Sequence, residues 1–95
     1  MMISLYAFYP ETRTLVLRTP EFDVDSFPTL GKEIVAQLGC RILEQQQDSD
    51  MHLWLLDFKG THLMLKSEGY SQSCWLEALS KEDEEVLMFL ANWLK

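Results

Sequence analysis

Met51-His-Leu-Trp-Leu-Leu-Asp-Phe58, Lys59-Gly60 and Thr61-His-Leu-Met-Leu-Lys-Ser67 together decide the fold. Two strand-length apolar runs separated by a Gly-containing dipeptide specify a β-hairpin, because Gly supplies the positive φ that a two-residue turn requires. Such a turn pairs Phe58 with Thr61, Leu56 with Leu63, Trp54 with Leu65 and His52 with Ser67. Strand alternation places these residues on one face. Met51, Leu53, Leu55 and Asp57 then share the other face with His62, Met64, Lys66 and Glu68. The first face carries the large Trp and Phe and is expected to pack against helices. The second has an apolar centre of Leu53, Leu55 and Met64 and a charged rim, the composition of a modest protein–protein patch. The competing reading is a half-exposed sheet face covered by the N-terminal hairpin.

Working outward, Ile3 to Phe8 and Thr14 to Arg18 read as two strands joined across Pro10-Glu11-Thr12. A helix is expected from Asp25 or Ser26, either of which could cap it, with Pro28 in its first turn. Phe27, Leu30, Ile34, Val35 and Leu38 form its apolar stripe, and Gly39 ends it in the left-handed conformation. Gly31 lowers its helix propensity. Cys40 to Gln46 reads as a strand with uneven sidedness, and Asp48-Ser49-Asp50 turns into the central hairpin. After Glu68-Gly69-Tyr70, Gln72 to Leu76 gives a last strand. Ser80 then caps a helix with an acidic first turn, Glu82 to Glu85. Its broad apolar stripe is Val86, Leu87, Phe89, Leu90, Trp93 and Leu94. The order is β-β-α-β-β-β-β-α, and the expected fold is α+β: a two-layer sandwich, antiparallel sheet with two helices, as a single domain over residues 1–95.

Composition restricts the partners. The formal charge is −7 at pH 7, with only eight Lys and Arg residues, scattered singly, which disfavours nucleic acid and anionic membrane surfaces. No apolar run reaches the length of a membrane span. The opening Met1-Met-Ile-Ser-Leu-Tyr-Ala-Phe8 lacks the basic start of a signal peptide, so a cytoplasmic location is expected, with Cys40 and Cys74 as reduced, packed thiols.

Constellations for chemistry are sparse. Cys40, His52, His62 and Cys74 lack the short spacing of a zinc knuckle, and the hairpin register sends the two histidines to opposite faces. Asp57 opposite His62 reads as a cross-strand polar pair, and His52 opposite Ser67 as a hydrogen-bonded strand end rather than a catalytic dyad. Cys74 lacks the basic cluster that activates a thiol. No phosphate-binding loop, nucleophile elbow or paired-carboxylate signature occurs. No residue is assigned a catalytic, cofactor-binding or metal-binding role.

From Asp25 onward, the order of elements is similar to that of a double-stranded RNA-binding domain. That family meets phosphate with a lysine-rich helix start. Here the corresponding segment is Ser80-Lys-Glu-Asp-Glu-Glu85, and a further strand intervenes, so the likeness is topological and the activity is rejected. Gly69-Tyr-Ser-Gln-Ser-Cys-Trp-Leu-Glu77 followed by the acidic helix resembles a small bacterial protein family of unknown function, which implies neither an activity nor site residues.

The sequence therefore reads as a non-enzymatic cytoplasmic interaction domain, meeting a protein partner or forming a homodimer through a sheet face or edge. Leu53, Leu55 and Met64 are its candidate contact residues. The alternative is a small-molecule-binding domain or small enzyme, with a site near Trp54, Tyr70 and Trp75 beside His52.

Overall fold

The computed structural model describes residues 3–95; the reading of Met1 and Met2 lies outside the described residues. The elements are β1 (Ser4–Tyr9), β2 (Thr14–Arg18), α1 (Phe27–Leu38), β3 (Arg41–Asp48), β4 (Met51–Phe58), β5 (Thr61–Glu68), β6 (Ser73–Ala78) and α2 (Glu84–Leu94). Short 3₁₀ turns over Pro10–Thr12 and Lys81–Asp83 precede β2 and α2. The fold is α+β, in the expected order of elements. All the strands form one antiparallel sheet in the order β1-β2-β6-β5-β4-β3.

The central hairpin has the register set by its turn: Phe58 faces Thr61, Trp54 faces Leu65 and His52 faces Ser67. Lys59 and Gly60 both have positive φ, 50° and 91°, as a type I′ turn requires to match the twist of the flanking strands. Trp54, Leu56, Phe58, Leu63 and Leu65 are buried with the apolar faces of both helices in one core.

The N-terminal hairpin does not cover the other sheet face. It lengthens the sheet instead: Leu15 of β2 pairs with Leu76 of β6, and Val16 with Trp75. Leu15 and Leu17 thereby join the row of Cys74, Leu76 and Ala78 in the core. Both edge strands carry a register shift, between Leu5 and Ala7 in β1 and between Ile42 and Glu44 in β3. The second shift accounts for the uneven sidedness of β3, since the extra residue, Leu43, falls outside the alternation.

Gly31 has a packing role. A Cβ at this position would lie 2.5 Å from the Trp54 ring. Only a residue without a side chain lets α1 rest directly on the indole, so the low helix propensity is the cost of that approach.

The caps differ from expectation. Ser26 makes no side-chain cap bond to α1. The reciprocal bonds lie one turn earlier: Ser26 N–H donates to Asp23 Oδ1 at 2.8 Å, and Asp23 N–H donates to Ser26 Oγ at 2.9 Å. This is a capping box at the onset of winding. Hydrogen bonding from Ser26, chiefly from its backbone N–H, holds the Asp23 carboxyl below its usual range. Its stabilising contribution is present above the unfolded-state value and is lost as pH falls through the folded one. Likewise Ser80 makes no backbone cap; its hydroxyl donates to Asp83 Oδ2 at 3.2 Å. Ser80→Ala should therefore cost only a few tenths of a kcal/mol in urea unfolding, rather than the ~1 kcal/mol of a true N-cap.

The stripe on α2 is narrower than its sequence implies. Leu87, Leu90, Ala91 and Leu94 are buried, while Phe89 and Trp93 face solvent at 55% and 46% exposure.

Candidate functional site

Both helices lie on one side of the sheet, so among the described residues its other face has no covering layer. Across that face runs the row Ala7, Val16, Trp75, Lys66, Leu53 and Gln46. The adjacent row is Thr14, Glu77, Met64, Leu55 and Glu44. Leu53, Leu55 and Met64 therefore lie together, continuous through Lys66 and Glu77 with Trp75 and Val16. Each of the five apolar residues is half-buried, because neighbouring side chains on the sheet shield one another although no described element lies above them.

Two carboxylates of this face, Glu77 and Asp57, are paired in its own plane. Glu77 accepts the Trp75 Nε1–H at 2.7 Å and the Lys66 ammonium at 3.1 and 3.2 Å. Arg41 reaches Asp57 at 3.7 Å. Exposed pairs of this kind add ~0–1 kcal/mol to stability. Their larger effect is chemical: an incoming apolar surface would cover paired rather than isolated charges. The sequence reading places neither Trp75 nor Val16 in this patch and weighs Trp75 for the small-molecule site instead, although the parity of the β5–β6 turn, which sets Trp75 against Lys66, carried the signal for the first.

The constellations weighed for chemistry do not assemble. His52 is buried, and its Nε2–H donates to the Val24 carbonyl at 2.7 Å while its ring stacks on Phe27. Ser67 faces it but has no hydrogen-bond partner, so the expected His52–Ser67 bond is replaced by a tie between the sheet and the segment leading into α1. Asp57 lies opposite His62, as its register requires, but its ion pair is with Arg41. Among the described residues, no group of three or more His, Cys, Asp or Glu side chains could hold a metal ion.

Both thiols are held protonated. Burial pushes Cys74 up to about 12, and burial reinforced by the Asp57 charge pushes Cys40 up to about 11. A thiol-specific disulfide reagent at pH 8 should label Cys40 before Cys74, both far more slowly than in denaturant. Rapid labelling of native Cys74 would contradict this burial.

The alternative small-molecule site also disperses. Trp54 is in the core and Trp75 on the opposite sheet face, while Tyr70 projects from the β5–β6 turn at 86% exposure. A depression of about 240 Å³ between α1 and the β3 edge reaches His52 and Trp54, without Tyr70 or Trp75. A larger one, about 470 Å³, is lined by Arg13 and Lys81 against Glu11 and Glu84; its charges balance and it has no aromatic wall.

Among the described residues, no helix is long and apolar enough to cross a membrane. No curated protein and no solved structure matches the chain significantly. A family model described as "Protein of unknown function (DUF3630)" matches residues 3–95, and the chain belongs to that family.

Proposed function

We propose that this chain, taken as one domain over residues 1–95, is a cytoplasmic protein-interaction domain without catalytic activity. Its docking surface is the uncovered sheet face around Leu53, Leu55 and Met64, and its partner is a second copy of itself. The observation that carries this reading is the apolar cluster of those residues, which spans two adjacent cross-strand rows on a face that neither helix covers, beside the Lys66–Glu77 pair. The face is preferred over the edges because both edge strands are bulged, a device that discourages strand addition.

Size supports the same reading. Six strands at about 4.8 Å spacing span about 24 Å, and residues advance about 3.3 Å along each strand. The flat area is on the order of 500 Å² before side-chain relief, approaching the ~800 Å² that each partner buries in a standard interface. A two-fold stack of two such faces would seat Leu55 and Met64 near its centre.

Sedimentation equilibrium at 10–100 µM, a range chosen as roughly that of weak dimers, is expected to give a dimer for the wild type. Leu55→Glu should give a folded monomer, because it buries an unpaired carboxylate in the contact. A wild-type monomer throughout that range would refute the self-association.

A further inference from the structure

We propose that the cleft between α1 and α2 binds a small amphipathic anion, an aryl or alkyl carboxylate. Its apolar body would lie on Phe58, Phe89 and Trp93, and its carboxylate would meet Lys59. The cleft is on the helical side of the sheet, so this inference is independent of the sheet-face reading.

The cavity has a volume of about 320 Å³, within the ~300–1,000 Å³ range of small-molecule pockets. Leu38 and Leu90 close its sides, Phe58 lies at the hairpin end, and Phe89 and Trp93 stand one turn apart on α2. Phe58 and Phe89 have ring centroids 6.3 Å apart. The neighbouring Leu90 and Leu94 are buried in the core, yet these two aromatics of the same helix keep about half their surface exposed. Core packing does not use that surface. An aromatic ligand would.

The charge of the occupant follows from Lys59. Its ammonium lies 5.4 Å from the centroid of the Phe58 ring, at the lip of the cavity. Neither ion pair among the described residues engages it. The opposing influences are the negative ends of α1 and α2, both of which border the cleft. At α1, Gly39 N–H donates to Ala36 O at 3.2 Å and Cys40 N–H to Val35 O at 3.0 Å, which partly quenches that end. Lys59 is the one charged side chain lining the cleft among the described residues, so a full charge at the lip meets only partial ones and favours an anionic occupant.

The full chain would be titrated with 1-naphthoate, 1-naphthalenemethanol and 1-naphthylmethylammonium, following backbone and indole amide shifts by NMR. The expected result is binding of naphthoate with shifts confined to Lys59, Gly60, Phe89, Trp93 and their neighbours. It should bind up to roughly fivefold more tightly than the neutral alcohol, the size of one exposed ion pair, and the ammonium should bind most weakly. Lys59→Asn keeps a turn-compatible residue and should erase the carboxylate preference while leaving alcohol binding intact. Phe89→Ala should weaken all three probes. Failure of naphthoate to bind, shifts centred on the opposite sheet face, or a naphthoate preference that survives Lys59→Asn would overturn the site. So would a change in sedimenting mass on Phe89→Ala, which would make the cleft a protein interface instead.

Discussion

Trp54→Ala is expected to lower the unfolding free energy by about 3–5 kcal/mol, the range for truncating a large buried aromatic. Against the ~5–15 kcal/mol total of a typical domain, that loss brings the protein close to unfolding at room temperature. The indole is 1% exposed, with Phe27 edge-on at a centroid distance of 5.4 Å and α1 resting on it at Gly31. Its removal therefore leaves a cavity under a helix with no side chain at the contact point to fill it. Urea unfolding should show the fall in midpoint, and a loss below ~1 kcal/mol would mean that α1 collapses onto the sheet.

Gly31→Ala sharpens the test, because two effects oppose each other in sign. Helix propensity alone favours Ala by up to about 1 kcal/mol. A methyl group driven 2.5 Å from a buried ring costs about 1–3 kcal/mol in overpacking. The substitution should therefore destabilise the wild type and become neutral or stabilising in the Trp54→Ala background. That reversal in a double-mutant cycle is the signature of direct contact. Stabilisation in the wild type would show that the helix shifts freely and that the close approach is not structural.

The second large effect is alkaline. Cys74 keeps its proton up to about 12 in the folded protein, against an ordinary value of 9.0, because burial penalises the thiolate. Between those values the unfolded chain releases a proton that the folded chain retains. Stability from this group is thus complete below pH 9 and falls as pH rises, by about 1.4 kcal/mol per pH unit. By pH 11 the loss approaches ~3 kcal/mol from Cys74 alone. Tyrosines and lysines titrate in the same range, so the measurement is a difference. Under reducing conditions, the unfolding free energies of wild type and Cys74→Ala, measured from pH 8 to 11, should converge with that slope above pH 9. Parallel curves would exclude the buried thiol as the cause.

The central hairpin was legible from residues alone because its information is local. A two-residue turn fixes parity, parity assigns every side chain to a face, and Lys59-Gly60 is such a turn. The pairing of Leu56 with Leu63, the inward Trp54 and the shared face of Leu53, Leu55 and Met64 all follow, as do α1's stripe and its Gly39 terminus. Where a choice depended on residues distant in sequence, periodicity carried no information. Nothing local states that β2 lies beside β6, yet that pairing keeps the N-terminal hairpin off the sheet face and leaves the candidate surface open. Nothing local identifies Gly31 as the seat of Trp54, or Val24 as the partner of His52. The stripe of α2 shows the same limit. Six apolar residues at helical spacing cannot reveal how many the sheet has room to bury, and the tertiary fit leaves Phe89 and Trp93 outside, bordering the cleft with α1. Sequence determined which side chains share a face, because that is a property of backbone repeat; only the tertiary structure decided which faces are covered, because coverage depends on where remote elements dock.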